Sequence, residues 1–226
     1  LDVVESLLRE APDFQHEAAL ADALLHPQDR AYSVSQLLDF LIKGGMAFGR
    51  WVKQAPYSPH CGVIASIPQA SRMAQFPLAE QYAAVELFRG TMVRHSAVVY
   101  RDDNPGGAQR ISFDGDAWLG YVPIRTSDTI CVQDRLPPGA AAVLINQTHT
   151  YKDLFMPIDA TEKRLFDGID GNSSIGAIVG KSLPSSQNRS QVGLALAFFE
   201  RLWWYDQVVF DTSRQPTRNS APEVSQ

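Results

Sequence analysis

The chain has 226 residues, 45% hydrophobic and 20% charged, a composition that suits a globular protein with a real core in one large domain or two small ones. Its net charge of −5 argues against a nucleic-acid partner, because phosphate-binding surfaces need an excess of Lys and Arg. No run reaches the roughly 18 apolar residues that span a bilayer and no charged and apolar leader opens the chain, so we expect a cytoplasmic protein without a membrane partner.

The chain begins at Leu1, inside helix-like sequence, as expected for a piece of a longer protein. Residues 1–25 predict two short amphipathic helices. Val3, Val4, Leu7 and Leu8 line the first, which Pro12 interrupts; Leu20, Leu24 and Leu25 line the second, which Pro27 closes. Within His26–Tyr57, Ser33 and Gln36 have the spacing of a capping box. Val34, Leu37, Leu38, Leu41 and Ile42 then repeat at helical spacing, and Gly44-Gly45 supplies the left-handed stop. Met46, Phe48, Trp51 and Val52 read as a short strand or a second buried turn.

Prolines 56, 59, 68 and 77 mark a loop with one short helix over 69–76. Pro77 suits the first turn of a helix reaching Gly90, with Tyr82, Val85, Leu87 and Phe88 on its apolar side. The β-branched run 92–100 predicts a strand. Further short strands are expected at 111–114, 117–124, 129–132 and 141–145. Asp159 and Glu162 form a second capping-box signal ahead of Leu165, Phe166 and Ile169. Asp170-Gly171 makes a turn, and Ser173 or Ser174 caps a helix carrying Ile175, Ile178 and Val179. Val192, Leu194, Leu196, Phe198, Phe199, Leu202 and Trp203 build a third helix, and 207–210 would be the strand of a wing. The polar tail 212–226 cannot offset its ordering entropy and is expected to be disordered. The fold class is therefore α+β. A mainly helical part covers 1–90, a β-rich module 91–150 and a winged-helix-like three-helix module 151–211.

The runs HPQDRAYSVSQLLDFL and GGMAFGRWVKQAPY resemble the region that follows the catalytic domain in certain bacterial S-adenosylmethionine-dependent methyltransferases. The resemblance continues through YAAVELFRGTMVRHSAVVYRDD and ISFDGDAWLGYVPIRT. It implies a C-terminal substrate-recognition or regulatory region whose partner is an upstream catalytic domain, with the methyl donor bound by that parent domain. The run TEKRLFDGIDGNSSIGAIV is similar to the winged-helix modules of PqqD-like peptide-binding proteins. That likeness implies an alternative, a stand-alone module that binds a peptide or protein.

The chemistry-bearing motifs are sparse. A donor- or dinucleotide-binding loop places Gly-x-Gly between a strand and a helix, and no G-x-G-x-x-G occurs. Gly180-Lys181-Ser182 ends like a phosphate-binding loop, but Gly176 stands one residue too close and the segment is helical. The five histidines, His16, His26, His60, His95 and His149, show no metal-ligand spacing, and no G-x-S-x-G elbow is present. We therefore assign no catalytic or metal-binding residue and no cofactor to this chain. His60-Cys61 could pair a nucleophile with its base, although sequence neighbours usually point apart. Cys61 and Cys131 are expected as reduced thiols rather than a disulfide, and the sequons at Asn146, Asn172 and Asn188 as chance matches in a cytoplasmic chain.

Cationic and aromatic groups lie close together at Arg50, Trp51, Lys53 and Tyr57. Such a mixture can hold an anionic or planar ligand, or the rings can belong to the core. With Arg30, and with Trp118 from the Asp114–Tyr121 cluster, these are the candidate substrate- or partner-binding residues. The last long helix carries only Glu200 and Arg201 as charges between 191 and 204, so it is expected to be buried rather than to read bases. A catalytic role for the chain itself would require titratable groups converging in a cleft near Trp51.

Overall fold

Short-range capping starts two helices where the sequence places them. Ser33 Oγ accepts from the Gln36 amide at 3.3 Å and Gln36 Oε1 accepts from the Ser33 amide at 3.0 Å, closing a reciprocal box at the start of a helix over Val34–Lys43. Asp159 and Glu162 do the same for a helix over Ala160–Asp167. A computed structural model describes residues 16–25, 27, 30–103, 111–183 and 189–213 of the chain. The expected helix near Val3–Leu8 and nearly all of the polar tail lie outside the described residues. Helices and antiparallel sheets are mixed along the chain, an α+β fold. Contacts group it into two compact units, Leu1–Val52 with Ser71–Ala108, and Lys53–Ala70 with Gln109–Gln226.

Unit 1 contains α1 (Glu17–Leu25), α2 (Val34–Lys43), β1 (Met46–Trp51), α3 (Leu78–Arg89) and β2 (Ala97–Arg101). Gly45, at φ +66, makes the left-handed turn from α2 into β1. β1 and β2 pair antiparallel from Met46↔Arg101 to Trp51↔Ala97, with a bulge between Phe48 and Arg50. Gly49 sits in that bulge because a Cβ there would stand 2.5 Å from the Tyr100 ring and 3.0 Å from the Val98 carbonyl. Trp51 is fully buried, with ring centroids of Phe48 at 4.9 Å, Tyr82 at 5.6 Å and His95 at 5.8 Å. The Glu86 carboxylate accepts from the Val34 amide at 2.9 Å and faces His95 Nε2 at 3.2 Å, tying α2, α3 and the approach to β2 together.

Several expectations need correction in unit 1. Leu25 on α1 and Ile42 on α2, expected on apolar faces, are 76% and 72% exposed. Tyr82 and Val85 are buried on α3, but Leu87 is 82% and Phe88 54% exposed. Leu87 lies about 200° round the helix from Val85, and Phe88 falls in the last turn before Gly90 at φ +62. The strand expected over 92–100 is confined to its C-terminal half and ends at Arg101.

Unit 2 contains β3 (Val122–Arg125), β4 (Thr129–Val132), β5 (Ala142–Asn146), β6 (Phe155–Ile158), α4 (Ala160–Asp167), α5 (Ile175–Ser182), α6 (Arg189–Trp204) and β7 (Val208–Asp211). β4, β5 and β6 form an antiparallel sheet in that order, and β3 pairs with β7. The stretch expected as a strand over 111–114 is instead a turn, where the Asp114 amide donates to Ser112 Oγ at 3.1 Å. The expected strand over 117–124 opens with a 3-10 turn at Ala117–Gly120 before β3 begins. β6 has no counterpart among the expected strands, because Pro157 masks its pattern; the proline occupies an edge strand, where a missing amide is tolerated. β7 finds its partner in β3, from the β-rich stretch, rather than in a hairpin neighbour of its own.

One core joins the sheets and the three helices. Trp118, Leu144, Met156, Leu165, Ile178 and Phe199 all lie in it. It draws from both sides of residue 150, and β1–β2 pairing likewise crosses residue 90, so contacts group the chain differently from the divisions drawn along the sequence. Asp170 shapes the turn between α4 and α5 by accepting from the amides of Ser173 at 2.7 Å and Asn172 at 2.8 Å. Those bonds, with the Ser173 hydroxyl, hold its carboxyl down at about 2. Among the described residues no helix is long and apolar enough to cross a membrane.

Candidate functional site

The densest polar arrangement in unit 2 is built where α6 ends. The Asp206 amide donates to Trp203 O and the Gln207 amide to Leu202 O, the paired bonds of a Schellman stop, with Asp206 at φ +55 in the left-handed position. Glycine suits that position with least strain, so an Asp there carries a backbone cost that its side chain must offset. The side chain is well placed to do so. The carboxylate accepts from the Gln54 amide at 2.9 Å, from the Ala55 amide at 3.0 Å, and lies 3.0 Å from His149 Nε2. Both side chains are inside, His149 2% and Asp206 6% exposed.

The backbone around Asp206 is gripped as well. Asn146 Nδ2 donates to Asp206 O at 2.7 Å, and Thr129 Oγ1 reaches Gln207 Oε1 at 2.9 Å. Gln54 Nε2 donates to Trp203 O at 3.2 Å, Cys61 Sγ lies 3.6 Å from Trp204 O, and the Gly62 amide donates to the Tyr205 hydroxyl at 3.0 Å. Gly62, at φ +64, has no room for a side chain, since a Cβ would sit 2.1 Å from Asp153 Oδ2, which accepts from the Val63 amide at 2.8 Å. Burial, and then the nearby Cys61, pushes the Tyr205 phenol above its ordinary value.

An Asp–His pair is also the pair that catalytic sites use to move protons. Here the carboxylate is taken up by backbone amides and by Nε2, and Nδ1 is buried with no hydrogen-bond partner among the described residues. His149 and Asp206 are both buried, and His149 Nε2 is engaged by the carboxylate. The pair fastens the 54–55 and 146–149 segments to the end of α6.

The six residues singled out from sequence divide between the units. Arg30, Arg50 and Trp51 belong to unit 1; Lys53, Tyr57 and Trp118 belong to unit 2. Trp51, Tyr57 and Trp118 are buried as core aromatics. Arg30 is exposed and lies over the Tyr32 ring at 5.3 Å, while Arg50 and Lys53 are half-buried. Asp114 and Asp116 are exposed while Trp118 and Tyr121 are buried, so that cluster also parts along the core boundary. His60 is exposed and Cys61 buried, and both cysteines are free thiols; burial pushes the Cys131 thiol up.

Asp206, His149, Asn146 and Gln54 were not found as a group from sequence, because only Asn146 and His149 are local to one another and the other two lie far along the chain. The one local signal is the long helix ending at Tyr205-Asp206 without a glycine. Among the described residues no group of His, Cys, Asp and Glu is arranged to hold a metal. No protein-family model matches the chain.

Proposed function

We propose that this chain is the non-catalytic C-terminal substrate-recognition or regulatory region of a bacterial S-adenosylmethionine-dependent methyltransferase. The observation that carries the reading is the resemblance through HPQDRAYSVSQLLDFL and GGMAFGRWVKQAPY, the residues that make α2 and β1. In support, helices α2 and α3 turn Phe40, Ile42, Leu87 and Phe88 outward, as an element that packs on a partner surface does. The partner is an upstream catalytic domain in the cytoplasm, and the methyl donor belongs to that domain. Gly44-Gly45 leads from a helix into a strand, the reverse of a donor-binding turn, so no step through the donor is assigned to these residues.

Calorimetric titration of the folded chain with S-adenosylmethionine and S-adenosylhomocysteine tests this reading. No saturable heat is expected with either; a saturable isotherm in the micromolar range would overturn it. The reading frame upstream of Leu1 should also encode a Rossmann-like methyltransferase domain.

The second reading, a stand-alone winged-helix module that binds a peptide or protein, is favoured by three helices followed directly by β7. In α6 the residues Ala195, Phe198, Phe199 and Leu202 are buried, which disfavours a DNA-reading helix. A reading frame that starts near Leu1 would select this alternative.

A further inference from the structure

Lys53–Ala70 is the part of unit 2 that is bounded on both sides in sequence by unit 1. It contributes no strand to any sheet ladder among the described residues. Its own backbone bonds are local, from Tyr57 to Gln54, Ser58 to Ala55, Cys61 to Ser58 and Ile67 to Ile64, within two short 3-10 turns. Apart from the Val63 amide on Asp153 and the core burial of Ala55 and Cys61, its fastenings to the rest of unit 2 gather on one turn of chain. Gln54 and Ala55 bond to the Asp206 carboxylate, Gln54 Nε2 to Trp203 O, Cys61 Sγ to Trp204 O and Gly62 to the Tyr205 hydroxyl.

We propose that Asp206 is the latch of a strap: Lys53–Ala70 opens from unit 2 as one local unit while the sheets and helices stay folded, and the Asp206 carboxylate sets the open fraction. The geometry supplies the reasons. Opening breaks no ladder hydrogen bond, so β3–β7 and β4–β5–β6 keep their pairing. Cooperative local units of this kind follow supersecondary boundaries and open below the global free energy. The carboxylate is the only group in the turn that accepts two strap amides at once, and without it both amides would be buried and unsatisfied. The left-handed φ of Asp206 is then the cost of placing a side chain where a helix stop needs none.

Hydrogen exchange on wild type and Asp206→Gly tests the latch. Gly adopts the left-handed backbone freely and carries no side chain, so it removes the acceptor without adding strain. The ratio of exchange rates at Gln54, Ala55 and Gly62 to those in β5 should rise about a hundredfold in the variant. An unchanged ratio would overturn the proposal, whether all amides accelerate together or none does. If Asp206→Gly fails to fold, wild-type exchange in rising sub-denaturing guanidinium decides the matter. Strap amides should exchange through an opening with weaker denaturant dependence than β5 amides; strap and β5 amides following one common curve would refute it.

Discussion

Replacing Trp51 by alanine separates the two units experimentally. The indole is fully buried, between the rings of Phe48 at 4.9 Å and Tyr82 at 5.6 Å, with His95 at 5.8 Å. Truncating a buried Trp costs about 3–5 kcal/mol, and the lost ring contacts place this site at the upper end of that range. With a denaturant dependence of about 1.5 kcal/mol/M in urea for a unit of this size, the midpoint of unit 1 falls by roughly 3 M. A natural probe arrangement makes the shift readable. The chain has four tryptophans, and the three others, Trp118, Trp203 and Trp204, all lie in unit 2. In Trp51→Ala, tryptophan fluorescence therefore reports unit 2 alone, while far-ultraviolet circular dichroism reports both units. The expected result is a biphasic dichroism curve whose later phase coincides with the fluorescence transition. A single transition, coincident by both probes and shifted by the full amount, would show that the units unfold as one domain and would refute the reasoning.

Ser33→Ala removes one side of the α2 capping box and should lower the stability of unit 1 by about 1 kcal/mol, read as an earlier exchange of α2 amides with β5 unaffected. Gly62→Ala places a Cβ 2.1 Å from Asp153 Oδ2 at a left-handed φ, so it should destabilise unit 2, and Asp153→Ala should relieve part of the loss; strict additivity in the double mutant would contradict this. The Asp170 carboxyl, held at about 2 by the Ser173 and Asn172 amides, has a folded value below its ordinary 3.8. Its contribution is thus fully present above about pH 4 and lost as pH falls through 2. A carboxyl-resolved NMR titration should show a midpoint near 2, and Asp170→Asn should flatten the acid limb of the unit 2 stability curve; an ordinary midpoint would contradict the turn geometry.

How legible the molecule is from its sequence follows from the range of the interactions. Ser33 with Gln36, and Asp159 with Glu162, hold partners within one helical turn, and both boxes read directly. β4 matches its expected bounds, since four β-branched and polar residues between turn signals leave few alternatives. The aromatic residues proposed for binding illustrate the opposite limit. Trp51, Tyr57 and Trp118 stand beside charges in sequence, but whether a ring faces a ligand or a core depends on segments far along the chain. β7 shows the same limit: its strand character is local, but its partner β3 lies on the other side of the whole β4–α6 run.

The latch is the furthest case, because Gln54, His149 and Asp206 meet only after the strap, the 146–149 loop and the end of α6 are all in place. A spacing rule cannot find such a triplet. What remains visible in the sequence is the mismatch at one position, a carboxylate where a helix stop prefers glycine. Reading it as a clue makes a further prediction. Asp206→Gly relieves the left-handed strain, so a residue whose role were purely to end α6 would gain stability from the change. Removing the carboxylate strands the Gln54 and Ala55 amides, each costing about 1–3 kcal/mol, which exceeds the gain of about 1 kcal/mol from relieved strain. Thermal unfolding of Asp206→Gly should therefore show net destabilisation of unit 2; a variant as stable as wild type would mean that the carboxylate fastens nothing.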